Sequence, residues 1–125
     1  MSTDTKTKLL FGELSYEING ILFAVHNELG RFAREKQYAD LIETKLKENK
    51  IEYKRELIVA DSGNVIDFLI EDSLILELKA KPFLLKVDYE QVQRYLHVCD
   101  LRLGILVNFR TKYLSPKRIL RKQYL

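Results

Sequence analysis

Cysteine, histidine and tryptophan are scarce in this 125-residue chain, which has one cysteine, two histidines and no tryptophan. A single thiol, Cys99, cannot form an intramolecular disulfide or a multi-cysteine zinc site. No apolar run approaches the ~20 residues that a membrane span needs. The polar N-terminal sequence MSTDTKTK lacks the apolar core of a secretory signal. These absences predict a cytoplasmic protein that does not enter a membrane.

Acidic side chains are missing from the C-terminal segment, since none follows Asp100. The net charge of the whole chain is only +3, so the basic residues are concentrated rather than abundant. A basic surface attracts phosphates through counterion release, although a short basic segment can equally be a solvated edge. The basic residues of this segment are Arg102, Arg110, Lys112, Lys117, Arg118, Arg121 and Lys122.

Proline and glycine are also scarce, and no repeat or Pro/Gly-rich linker divides the chain. A length of 125 residues suits one domain with one core. We therefore predict a flexible N-terminal tail at residues 1–8 and a single domain over residues 9–125.

Hydrophobic periodicity predicts a mixed α/β domain built on a central sheet. Helical spacing of apolar residues predicts helices over residues 13–29, 33–49 and 87–99. Short apolar or alternating runs predict strands over residues 53–60, 65–70, 74–80 and 101–109. Turn-forming residues at 61–64 and 71–73 separate the first three strands, and residues 115–120 fit either a strand or a helix. The predicted order is therefore α-α-β-β-β-α-β.

Three charged residues interrupt otherwise apolar strands: Asp67 in VIDFLI, and Glu77 and Lys79 in LILELKA. A hairpin would bring Asp67 close to the other two. Two adjacent carboxylates repel unless a cation lies between them, and such oxygen ligands suit Mg²⁺ or Mn²⁺. The backbone carbonyl of Leu78 would add a ligand, and Lys79 would orient or help deprotonate a water. Cross-strand ion pairs on a solvated face give the same spacing, so the pattern alone leaves both interpretations open.

The spacing from Asp67 to Glu77-Leu78-Lys79 resembles the D…(D/E)-x-K core of the PD-(D/E)XK nuclease superfamily. The segment VHNELGRFAREKQYADLIETKLKENKI is similar to the signature of the GxxExxY family within that superfamily. The segments LILELKAKPFLLKVDYEQVQRYL and LGILVNFRTKYLSPKRIL resemble the rest of the family pattern. The resemblance extends over roughly residues 14–120, in the expected order of segments.

Two features depart from the family pattern. Phe32 occupies the first position of the motif in place of glycine, whereas Glu35 and Tyr38 match the other two positions. The segment between Ile51 and Asp67 is also short for the family, so the first hairpin is expected to be trimmed.

The resemblance implies a restriction-endonuclease-like α/β fold with an αβββαβ core, in which helices flank a central mixed sheet. It implies a metal-dependent endo- or exonuclease that hydrolyses DNA with Mg²⁺ or Mn²⁺. The alternative is a catalytically silent module that keeps the fold and binds nucleic acid or a protein. In the active form, Asp67 and Glu77 bind the metal and Lys79 assists the attacking water. Glu35 matches the helix acid that completes such sites, and Glu28, two turns earlier on the same face, is its rival.

Further expectations concern the last helix and the DNA. Gln91 matches a glutamine found in related sites, although a surface amide would have the same position. Tyr95, one turn further on, is expected to pack in the core. A domain this small is expected to act as a homodimer or with a protein partner. The residues expected to contact DNA are Lys81, Arg94, Arg110, Lys112, Lys117 and Arg118.

Overall fold

The computed structural model of the protein describes residues 3–59 and 63–123, with side chains described from Gly12 onward. It confirms a mixed α/β fold in which helices flank a mixed sheet. The elements are α1 (Thr3–Leu29), α2 (Glu35–Glu48), β1 (Tyr53–Val59), β2 (Asn64–Ile70), β3 (Leu74–Lys79), α3 (Lys86–Val98), β4 (Leu103–Asn108) and β5 (Lys117–Leu120). In this part of the chain, no helix is long and apolar enough to cross a membrane.

The described strands form one sheet in the order β1-β2-β3-β4-β5. Strands β3 and β4 are parallel, and the other neighbours are antiparallel. A parallel pair needs a long crossover, and α3 supplies it between β3 and β4. The residues at 115–120, which fitted either kind of element, contain the edge strand β5. This topology leaves the β2–β3 hairpin in the middle of the sheet, with a helix layer on each side.

Each face of the sheet has its own apolar cluster. The side chains of α1 and α2, including Leu22, Tyr38 and Ile42, pack on one face. Those of α3, including Val92 and Leu96, pack on the other face. The two helix layers therefore exclude water from both sides of the central strands, and a charged side chain on those strands is desolvated unless it lies at the sheet's end.

The structure differs from the sequence predictions at the start of the first helix. Helix α1 begins at Thr3 rather than near residue 13. The sequence of its first two turns has no apolar stripe, so hydrophobic periodicity does not register them. Residues 61 and 62 of the predicted turn at 61–64 lie outside the described residues, whereas the turn at 71–73 is present.

The sheet packs closely on α3 at Gly104 of β4. A Cβ atom at this position would lie 2.7 Å from Cγ1 of Val92 and 3.5 Å from the carbonyl oxygen of Ile75. We predict that Gly104→Ala destabilises the protein by about 1–3 kcal/mol, since the Val92 side chain must move away from the new methyl group. Urea or thermal unfolding measures the change.

Gly20, an exposed residue in the middle of α1, is the matched control. A Cβ atom there would meet nothing within 4 Å. Alanine is favoured over glycine in a helix by about 1 kcal/mol, so Gly20→Ala should raise the unfolding midpoint. A Gly104→Ala variant as stable as the parent would show that α3 does not need this close approach.

Candidate active site

The β2–β3 hairpin changes its hydrogen bonding at Asp67. The ladder ends at the pair Phe68↔Leu76, and the same register places Asp67 opposite Glu77. The backbone N–H of Asp67 donates to Oε1 of Glu77 at 2.8 Å, and the N–H of Leu78 donates to Oδ2 of Asp67 at 2.8 Å. At this step of the ladder, side-chain carboxylate oxygens therefore accept the hydrogen bonds that backbone carbonyl oxygens accept in a regular ladder. Residues directly opposite in an antiparallel pair share a face, so the two carboxylates lie side by side.

The β1–β2 ladder is also distorted opposite Asp67. Glu56, its counterpart on β1, has a positive φ of 56°, which is uncommon for a residue other than glycine. The register is the same on either side, with pairs Arg55↔Phe68 and Leu57↔Ile66. Such backbone strain costs about 1–3 kcal/mol and persists only where the surroundings enforce it. Strand β2 is thus released from regular pairing on both sides at the same residue.

The two carboxylates share a desolvated environment. Glu77 is only 2% exposed, and Asp67 is half-buried. Burial, followed by the negative charge of Asp67, raises the pKa of Glu77 to about 8. Burial also raises the pKa of Asp67, against the opposing effects of the Leu78 N–H and the charge of Lys79. At neutral pH Glu77 therefore keeps its proton beside Asp67.

Helix α3 reaches the site through Gln91. Nζ of Lys79 donates to Oε1 of Gln91 at 2.9 Å, so the structure brings these two predicted residues together. Tyr95, one turn further on, is 2% exposed and packs in the cluster beneath α3. Burial, followed by the charge of Glu77, raises the pKa of the Tyr95 hydroxyl. The expected core position of Tyr95 is confirmed.

Asp88 is a buried acid at the start of α3 that sequence reasoning missed. Its Oδ2 accepts from Nζ of Lys81 at 2.6 Å and from the backbone N–H of Leu85 at 2.7 Å. Its Oδ1 lies 4.0 Å from Nζ of Lys79. Burial opposes ionisation, but the bonds from Lys81 and Leu85 lower the pKa of Asp88. Its position in the first turn of a predicted helix, where acids cap N-terminal amides, was the available signal.

Glu35, at the start of α2, faces the site from the other layer. Its pKa is raised by partial burial and then by the charge of Asp67, whereas Lys79 lowers it. The rival Glu28 instead lies 3.7 Å from Nζ of Lys45.

Among the described residues, no three His, Cys, Asp or Glu side chains converge as a ready metal centre. A pocket of about 200 Å³ lies between α2 and the sheet and is lined by Glu35, Lys36, Ala39, Arg55, Glu56, Asp67 and Leu78.

Arg55 and Asn108 support the site and were not singled out by the sequence. Arg55 donates to Asp40 at 2.8 Å and to Glu43 at 3.1 Å, which ties β1 to α2 beside the pocket. The Asn108 amide is paired with the backbone N–H and C=O of Lys81, at 3.1 and 2.8 Å. This amide fixes the chain directly after Lys79. Both sets of contacts join residues that are far apart in the sequence, so the sequence could not predict them. The only available signal was the alternating position of Arg55 along β1.

The residues expected to contact DNA fall in two regions. Arg94 and Arg118 line a groove of about 940 Å³ between α3 and β5, together with Lys86 and Lys122. The others lie after β3 or in the segment after β4. Lys81 pairs with Asp88, Arg110 donates to the carbonyl of Ala80, Lys112 lies 5.5 Å from the Tyr113 ring centre, and Lys117 donates to Ser115.

Comparison with known proteins identifies the family. A family model described as PD-(D/E)XK nuclease superfamily matches residues 12–121. The chain belongs to the PD-(D/E)XK nuclease superfamily. No curated protein and no solved structure gives a significant match. The β2–β3 hairpin with Asp67, Glu77 and Lys79 is therefore the candidate nuclease centre of this superfamily member. The observed sheet is consistent with the restriction-endonuclease-like fold of the superfamily.

The donor set of this superfamily member fits a divalent metal ion. PD-(D/E)XK nucleases usually use such ions, and hard oxygen ligands suit them. Asp67 and Glu77 supply two adjacent carboxyl groups, and the raised pKa of Glu77 shows that the pair needs a positive charge to be fully ionised. A proton supplies part of that charge here. A divalent cation would replace it.

The pKa of Glu77 predicts how stability changes with pH. The folded-state pKa of about 8 lies above the ordinary 4.5, so the folded protein holds a proton that the unfolded chain releases. This contribution is fully present below pH 4.5 and is lost as the pH rises through about 8. Each pKa unit corresponds to about 1.4 kcal/mol. Glu77→Gln keeps the shape without the titration, so it should gain stability relative to the parent from about pH 5 to 9.

Thermal unfolding of both proteins across that pH range measures the difference. Glu48→Gln, at an exposed position near the end of α2, is the matched control and should follow the parent at every pH. Parallel curves for Glu77→Gln and the parent would mean that Glu77 is ionised at neutral pH.

Proposed function

We propose that this protein is a metal-dependent nuclease that hydrolyses phosphodiester bonds in DNA. The observation that carries the proposal is the pairing of two desolvated carboxyl groups, Asp67 and Glu77, beside an ammonium group, Lys79, that α3 holds in place. The presence of Glu35 and Tyr38 at the motif spacing supports membership of the GxxExxY family. A cytoplasmic location and a second copy or protein partner stay predictions of the sequence.

Asp67 and Glu77 would hold Mg²⁺ or Mn²⁺, with the backbone carbonyl of Leu78 and the Glu35 carboxylate as further ligands. Leu78 and Glu35 line the same pocket as Asp67, which supports this assignment. A bound divalent cation neutralises charge on the phosphate and lowers the pKa of a bound water. Glu35 is exposed, so its side chain can reorient toward the carboxylate pair without losing a buried contact.

Lys79 is positioned to act on the attacking water and on the phosphate. An ammonium group has three N–H donors, and the bond to Gln91 uses one of them. The hydrogen bond to Gln91 also fixes the directions of the other two N–H donors. Lys79 would orient the water with one donor and stabilise the charge that develops on the phosphoryl oxygens with another. Gln91 is a positioning residue, because it acts through Lys79.

The basic surfaces support DNA as the substrate. Arg94, Arg118, Lys86 and Lys122 line one groove and share it with a single acid, Glu90. A groove with such an excess of positive charge binds a phosphate backbone through counterion release, whatever the base sequence. This contact would hold the DNA while the carboxylate pair acts on one phosphodiester bond.

A catalytically silent binding module is the second candidate. It is favoured by one observation: Asp67 and Glu77 already accept backbone hydrogen bonds, and the described acids form no three-carboxylate centre. In this case the basic grooves would bind DNA, or another surface would bind a protein, without turnover. Salt-dependent DNA binding that survives the loss of both carboxylates, with no cleavage, would identify it.

Cleavage assays test the nuclease proposal. Purified protein should cut single-stranded, duplex or branched DNA with Mg²⁺ or Mn²⁺ and not with EDTA. Asp67→Ala should abolish cleavage because it removes a metal ligand. Lys79→Ala should slow cleavage at least about 100-fold, since positioned proton-transfer and charge-stabilising groups contribute this much or more.

Lys54→Ala is the matched lysine control, because Lys54 is exposed on β1 and lies 3.4 Å from Asp72 rather than in the site. It should cleave at the parental rate. If all three DNA forms stay intact with both metals, the nuclease proposal fails for the isolated chain. If Lys79→Ala cleaves as fast as Lys54→Ala, the assigned role of Lys79 is wrong.

A further inference from the structure

An exposed aromatic ring stands on the loop between α1 and α2. Phe32 is 74% exposed, although apolar side chains of this size are usually buried. The loop is nevertheless well anchored. The Tyr38 hydroxyl donates to the carbonyl of Gly30 at 2.6 Å and accepts from the N–H of Ala33 at 3.1 Å. Tyr38 therefore holds the loop on both sides of Phe32, so the ring is presented to solvent by a fixed backbone.

Two guanidinium groups flank this ring. The Arg31 guanidinium lies 4.7 Å from the ring centre, and that of Arg110 lies 5.9 Å from it. Both distances are within the range of cation–π attraction. The ring still keeps most of its surface open despite these two neighbours. The result is an aromatic surface with positive charge around it.

Two connections place the Phe32 ring near the candidate active site. Phe32 precedes Glu35, the first residue of α2, by three residues, and Arg110 donates to the carbonyl of Ala80, the residue after Lys79. Tyr38 also stacks on Phe109, with ring centres 4.2 Å apart. This stack joins the loop of Phe32 to the segment that follows β4. The position of the ring relative to the site is therefore set by packing.

We propose that Phe32 is a stacking platform for an unpaired base, with Arg31 and Arg110 on the adjacent phosphates. Every base has an apolar face, and an aromatic ring beside cations is the arrangement that binds single strands without sequence preference. Bases inside a duplex are stacked on each other and cannot reach such a ring. The inference rests on the proposed nuclease function and narrows its substrate to DNA with unpaired nucleotides beside the cleaved bond.

The charge around the ring favours a polyanion over an apolar protein segment, because burying two guanidinium groups under an apolar partner would cost desolvation energy. A nucleic acid strand supplies both a stacking face and phosphates.

Equilibrium binding without metal tests the proposal separately from cleavage. Fluorescence anisotropy in EDTA at low salt would compare a labelled single-stranded oligonucleotide with a blunt duplex of the same sequence. Phe32→Ala should weaken single-strand binding by roughly 5- to 150-fold, the range for one lost stacking contact, and leave duplex binding unchanged. Phe32→Trp should restore the single-strand affinity.

Tyr16→Ala is the matched control, since Tyr16 is 82% exposed on α1 and outside the loop. It should bind both DNA forms as the parent does. Arg31→Ala should lower the slope of log affinity against log salt by about 0.7, the value for one phosphate contact on a single strand. Thermal unfolding should show that each variant is folded.

Three results would overturn the proposal. The first is a parental protein that does not bind single strands at low salt. The second is single-strand binding by Phe32→Ala that equals the parental value, which would leave the ring to a protein partner. The third is an equal loss of single-strand and duplex binding, which would mean a backbone contact. Cleavage by the parental protein alongside any of these would leave the nuclease function standing and reject only the substrate assignment.

Discussion

Asp67 and Glu77 lie opposite each other where the β2–β3 ladder ends, with Glu77 buried and Asp67 half-buried. Ionising both groups there is costly, because burial and mutual repulsion act in the same direction. The pair therefore requires a positive charge, which is a proton in the isolated protein and a divalent cation in the proposed enzyme. The same pair supplies acceptors for two backbone N–H groups, so the hairpin's structure and the proposed chemistry depend on the same two carboxyl groups.

The surrounding fold places other groups around this pair from both faces of the sheet. Helix α3 brings Gln91 to Lys79, and helix α2 brings Glu35 into the pocket of Asp67. The distorted backbone of Glu56 on the neighbouring strand releases β2 from regular pairing at the same step. A regular sheet would have used the backbone groups of this step in the ladder and left the carboxyl groups without them. The strained backbone of Glu56 is thus part of the local structure that the site requires.

The sequence predicted the α/β class, the order of the elements and the pairing of Asp67 with Glu77, because period-two alternation and a short turn determine them. It did not predict the strained φ of Glu56 or the Asn108 contact with Lys81, which depend on residues far apart in the chain. Family resemblance, rather than periodicity, led to Gln91.

The exchange of a proton for a metal ion is the central claim, and calorimetry measures it directly. Mn²⁺ would be titrated into the protein at pH 7 in two buffers of different ionisation enthalpy, with Asp67→Asn and Glu77→Gln as comparisons. The account predicts saturable binding by the parent with release of about one proton per ion, because Glu77 with its pKa of about 8 must lose its proton. It also predicts that neither variant binds in this way. Absence of binding, or binding without proton release, would contradict it.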